Sequence, residues 1–71
     1  MIKNKIISVY GLGNVGGPIA AAWLRVEANV VGVDISKKLL DDIKSGKSHK
    51  KEPFISETFS KSLKNKKLII T

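Results

Sequence analysis

Apolar residues fall along this chain in short blocks, and two kinds of block alternate. Residues 5–10, Lys-Ile-Ile-Ser-Val-Tyr, form a β-branched and aromatic run that stops at Gly11. A mostly apolar run ended by glycine predicts a buried strand of the parallel type. Residues 18–27 then place Ile19, Ala20, Ala22, Trp23 and Val26 on a broad apolar helical face. Pro18 suits the start of that helix, because first-turn amides have no intrahelical acceptor and a missing N–H costs little there. Residues 29–34, Asn-Val-Val-Gly-Val-Asp, predict a second strand. Ser36 is the expected N-cap of a helix over 37–45, with Leu39, Leu40 and Ile43 on one face and Gly46 as its C-cap. Residues 47–53 are a polar, basic loop. A shorter helix over 54–63 carries Ile55, Phe59 and Leu63 at four-residue spacing, and residues 67–71, Lys-Leu-Ile-Ile-Thr, predict a third strand.

Alternating strands and helices imply a parallel sheet with right-handed crossovers. Three such strands in the spatial order 3-2-1 make one mononucleotide-binding half of a doubly wound α/β fold. With 71 residues the chain has room for one small domain, and a chain this short is marginally stable alone. Apolar residues at 42% and charged residues at 27% describe an ordinary globular protein rather than a disordered one. There is no cysteine, which excludes disulfides, thiolate metal sites and a cysteine nucleophile within these residues. No other grouping of side chains suggests a metal site, a catalytic triad or a pair of catalytic carboxylates.

The net charge is +7, and 12 of the 13 basic residues are Lys, with Arg25 the exception. Such a charge raises nucleic acid and membrane surfaces as partners. The lysines lie at Lys3 and Lys5, at Lys37 and Lys38, and through the last third, without interleaved aromatics. That spread lacks a stacking platform, and it lacks the Arg forks that read bases. It is expected to be a solvated surface, with neither nucleic acid nor membrane as partner. The apolar run after Lys3 and Lys5 is too short and too broken for a secretory signal, and no segment approaches the length of a membrane span. The expected compartment is the cytoplasm.

The strongest chemical signal is the turn Gly11-Leu-Gly-Asn-Val-Gly-Gly17. Gly11, Gly13 and Gly16 match G-x-G-x-x-G, a weak pattern by itself. Here it follows a strand, opens a helix, and has an acidic residue, Asp34, at the end of the next strand, about 20 residues on. That context marks half of a Rossmann fold. Gly11 permits the tight turn, Gly13 lets the backbone approach a pyrophosphate, and Gly16 lets the helix pack on the first strand. Free amides at the helix start, with the helix dipole behind them, favour the phosphate charge. The Asp34 carboxylate can accept from the adenosine ribose hydroxyls and would repel a 2′-phosphate, which favours NAD over NADP. Leu12, Asn14 and Val15 in the turn and Lys38 beyond the second strand complete the expected cofactor-binding set. Asp34 has a plainer alternative role as a helix N-terminal cap. His49, in the lysine-rich loop, is expected to be exposed and inert. Trp23 is expected in the core or at a subunit interface.

The run Ile7-Ser-Val-Tyr-Gly-Leu-Gly-Asn-Val-Gly-Gly-Pro-Ile-Ala20, with Val30-Val-Gly-Val-Asp34, Ser45-Gly-Lys-Ser48 and Glu52-Pro53, resembles the N-terminus of the UDP-glucose/GDP-mannose dehydrogenase family. Members typically show a G-x-G-Y-V-G-L-P-x-A turn, a V-x-G-V-D strand and an N-x-G-x-x-P-I-x-E-P-G-L loop. Here Asn14 stands for the usual Tyr, Gly17 for Leu and Phe54 for Gly, and Ser48, His49, Lys50 and Lys51 replace the stretch containing Pro-Ile. The turn also resembles that of β-hydroxyacid dehydrogenases, which lack the Glu-Pro loop and rank second. The first resemblance implies an NAD-dependent oxidoreductase that takes a nucleotide sugar from C6 alcohol to carboxylate. It uses two NAD per turnover and a cysteine of a later domain that forms a thiohemiacetal. On that basis residues 1–71 are expected to be a truncated fragment, the first nucleotide-binding half only, inactive alone, and the unpaired edge of the first strand, about Ile6 to Tyr10, predicts a homodimer. A stand-alone NAD- or ADP-sensing module is the expectation of a different class.

Overall fold

The computed structural model describes residues 5–71; residues 1–4, with Lys3 of the N-terminal basic pair, lie outside the described residues. The elements run β1 (Ile6–Tyr10), α1 (Gly16–Arg25), β2 (Asn29–Val33), α2 (Lys37–Lys44), α3 (Pro53–Lys64) and β3 (Leu68–Ile70). The strands form one parallel sheet in the order β1-β2-β3, which is the expected 3-2-1 arrangement. Val9 pairs with Gly32, and Gly32 with Ile70. Ladder bonding reaches past β3 at both ends, since Val30 donates to the Lys67 carbonyl and Thr71 to that of Gly32.

Alternation along the strands sorts the two faces of the sheet. Val9, Val30, Gly32 and Leu68 are buried under the helices, whereas Ile6, Ser8, Tyr10 and Ile69 are exposed on the other side. α1 packs on β1 and β2, α3 packs on α1 and β3, and α2 packs on α3. Phe59, Leu12, Ile43 and Val30 are the largest fully buried side chains. Each such side chain contributes about 1.5–3 kcal/mol by leaving water.

α2 follows its sequence signals closely. The Ser36 hydroxyl accepts from the Leu39 amide at 3.1 Å, and Gly46 takes φ +77° just past the helix end. Pro53 opens α3 at its first turn. α1 corrects two expectations. It begins at Gly16 rather than Pro18, and its buried face is Gly17, Ala20, Ala21 and Leu24. Ile19, Ala22, Trp23 and Val26 are exposed, so Trp23 is not a core residue. The cause is proximity: a β-carbon on Gly16 would collide with the Gly11 carbonyl, so α1 lies against the turn with its small residues inward. Hydrophobic spacing alone selects the bulky residues as the inner face, and a close helix–sheet approach reverses that choice.

Candidate nucleotide-binding site

The C-terminal ends of β1 and β2 carry the expected chemistry. Gly11 takes φ +92°, and its amide donates to the Val33 carbonyl at 2.7 Å, which ties the turn to β2. The turn then passes from β1 into α1. The Leu12 side chain is 1% exposed and fills the space that Gly32 leaves open beneath it. Leu12 therefore enters the site through its backbone only.

Asp34 joins the turn to the second crossover. One carboxylate oxygen accepts from the Leu12 amide at 2.8 Å, and the other accepts from the Ser36 amide at 2.8 Å. The Leu12 bond, then the Ser36 bond, holds the carboxyl below its ordinary pKa, against a smaller opposing effect of burial. These two bonds leave acceptor capacity on both oxygens, because a carboxylate offers about four lone-pair positions. Asp34 thus braces the start of the second crossover, and it does so beside the glycine turn. A shallow cleft of about 180 Å³ lies here, lined by Tyr10, Gly11, Val33, Asp34 and Ile35. Clefts of about 310 and 340 Å³ exist elsewhere, but neither touches the turn. The chemistry, not the volume, singles out the smaller one.

A β-carbon on Gly13 would meet nothing within 4 Å, so the space in front of the turn is open. Among the described residues the amides of Asn14, Val15 and Gly16 have no acceptor, while Gly17 donates to the Gly13 carbonyl at 2.9 Å. Asn14 and Val15 are exposed. Open amides at a helix start, a side-chain-free approach and a neighbouring carboxylate fit the ADP part of a dinucleotide. Lys38 is not brought into this cluster; its exposed ammonium pairs with Asp42 one turn along α2 at 2.9 Å.

His49 departs from expectation. It is half-buried, its Nε2 lies 3.2 Å from the Gly13 carbonyl, and its ring meets Phe59 edge-on at 5.4 Å between centroids. A loop residue 36 positions away thus touches the glycine turn directly. A loop histidine among lysines carries no local mark of burial; the contact arises only when α3 brings Phe59 beneath it.

The profile of the UDP-glucose/GDP-mannose dehydrogenase family, NAD binding domain, matches residues 5–71. The chain belongs to this family. Among its relatives, UDP-N-acetyl-D-mannosamine dehydrogenase of Escherichia coli is 47% identical over 47 residues, covering 66% of this chain and 11% of that protein. GDP-mannose 6-dehydrogenase of Pseudomonas syringae pathovar tomato is 44% identical over 62 residues, covering 87% and 14%. Among solved structures, a UDP-D-ManNAc dehydrogenase from Pyrococcus horikoshii superposes with a TM-score of 0.80 at 36% identity, over 93% of this chain and 16% of that one. A UDP-glucose dehydrogenase from Pyrobaculum islandicum gives 0.82 at 27% identity, over 99% and 16%. The chain therefore spans about a seventh of the length of such relatives, and what it matches is the family's NAD-binding domain. Among the described residues no helix is long and apolar enough to cross a membrane.

Proposed function

We propose that this chain binds the adenosine diphosphate part of NAD, as the first half of the cofactor domain of a nucleotide-sugar dehydrogenase acting at the sugar C6 hydroxyl. The observation that carries this reading is the pairing of Asp34 with the glycine turn: the Leu12 amide bonded to Asp34 sits in the turn whose next amides are open. Gly13 admits the pyrophosphate, the amides of Asn14, Val15 and Gly16 donate to it, and Asp34 accepts from the ribose hydroxyls. Tyr10 and Ile35, both largely exposed at the cleft mouth, flank the adenosine. Asp34 repels a 2′-phosphate and so rejects NADP.

When bound, NAD supplies the hydride acceptor. The residues of this chain would bind and orient its adenosine diphosphate part. In this reading the protein works in the cytoplasm as a homodimer. Calorimetric titration with ADP-ribose, NAD and NADP is the test. For residues 1–71 by themselves, the expected dissociation constants for ADP-ribose and NAD are roughly 0.1–1 mM, or about −4 to −5.5 kcal/mol. Tighter binding of NADP than of NAD would refute the role of Asp34. No binding of any of the three would refute the site.

A further inference from the structure

His49 is the half-buried polar side chain that the cofactor reading leaves without a task. Its ring is wedged between Phe59, which is 1% exposed in the core, and the start of α1. A β-carbon on Gly17 would collide with His49 Nε2, so the absence of a side chain at Gly17 makes room for the ring. The Gly13 carbonyl can only accept, so Nε2 carries the proton and donates to it. That carbonyl also accepts from the Gly17 amide, and the two bonds engage both of its lone pairs.

The Gly13 carbonyl shares its peptide plane with the Asn14 N–H. In a trans peptide the two point in opposite directions, and no peptide among the described residues is cis. Drawing the oxygen inward toward His49 therefore turns the Asn14 amide outward. We propose that His49 is a positioning residue for the phosphate turn: held edge-on by Phe59, it anchors the Gly13 carbonyl and so aims the amides of Asn14, Val15 and Gly16 at a ligand diphosphate. The role rests on the nucleotide-binding reading above, and it adds a residue that touches the turn and not the ligand.

Two substitutions separate the hydrogen bond from the packing. His49→Phe keeps an aromatic ring against Phe59 and removes the donor; His49→Gln keeps a donor and removes the ring. The wild-type protein and both variants are titrated with ADP and with adenosine, and the amide order parameters of residues 13–16 are measured by nitrogen-15 relaxation without ligand. His49→Phe is expected to weaken ADP by about three- to tenfold, the range of one hydrogen bond, and to leave adenosine unchanged. The amides of residues 14–16 should lose order, and His49→Gln should recover part of both effects. Equal ADP affinity and equal order in His49→Phe would overturn the proposal, as would an equal loss for adenosine, which marks a general structural fault. If His49→Phe does not fold, wild-type behaviour of His49→Gln supports the donor role, and disorder at residues 14–16 in that variant overturns it. If the wild type binds no nucleotide, the cofactor reading fails, and the order parameters alone still decide whether His49 anchors the turn.

Discussion

Two glycines of one motif, Gly13 and Gly16, meet different physical demands, and substitution separates them. Gly13 faces open space, so Gly13→Val should fold normally, with a melting temperature near wild type, and lose NAD binding because the new side chain stands where the pyrophosphate would lie. Gly16 faces the Gly11 carbonyl, so Gly16→Ala forces backbone apart and should cost about 1–3 kcal/mol in denaturant unfolding. A Gly13→Val protein that binds NAD normally would show that the phosphate lies elsewhere. Asp34 adds a pH signature. Its carboxyl is held below the ordinary value of 3.8 by the Leu12 and Ser36 amides, so the folded state binds that proton less readily than the unfolded state does. Its contribution is complete above the ordinary value and disappears as pH falls through the depressed folded-state value. Acid titration of stability should thus show a gap between wild type and Asp34→Asn that is constant at neutral pH and closes in strong acid. A gap that widens on acidification would contradict this account. The identities of Gly11, Gly13, Gly16 and Asp34 were legible from spacing, because a turn and a carboxylate at the ends of adjacent strands are local features. His49 was not: its ring lies where a side chain on Gly17 would begin, a contact that the fold and not the spacing creates.

At the scale of elements, capping chemistry and the inner faces of α2 and α3 were readable, but the inner face of α1 was not. Ser36 caps α2 as its position implied, and Ser36→Ala should cost about 1 kcal/mol. For a domain of this size that lowers the melting temperature by roughly 4–8 °C, which calorimetry can resolve. An unchanged melting temperature would mean that the Asp34 bond to the Ser36 amide carries the helix start by itself. α1 turned its small residues inward because Gly16 and Gly17 bring its axis close to the sheet, which leaves Val15, Ile19, Trp23 and Val26 as an apolar stripe on the outside. Helical periodicity reports that a stripe exists; it does not report how far the helix stands from its neighbour.

At the scale of the molecule, β1 pairs among the described residues with β2 only. Asn29 donates to the Lys5 carbonyl, and Gly11 donates to that of Val33. Alternation then directs the backbone groups of Ile6, Ser8 and Tyr10 to the free edge. Such an edge is a template for another strand, and two-fold closure is the commonest solution. For residues 1–71 by themselves, the expected assembly is a homodimer joining two β1 edges antiparallel into a six-stranded sheet. Ser8→Pro removes an edge donor without touching the β1–β2 ladder, and proline is tolerated on an edge. Light scattering should therefore show a dimer for wild type and a monomer for the variant. A wild-type monomer at high concentration would exclude dimerisation, and a dimer indifferent to the proline would exclude this interface.

The sequence by itself determined the order of elements, the parallel sheet, the glycine-rich turn between β1 and α1 and the acidic residue beside it. Each of these depends on residues close in the chain or on a spacing that one crossover imposes. Tertiary structure alone decided which face of α1 is buried, that Asp34 holds the Leu12 amide, and that His49 lies under the glycine turn. Those outcomes depend on distances between elements, and such distances are set by how side chains of different size share one interior. A linear pattern records the side chains but not the spaces between them.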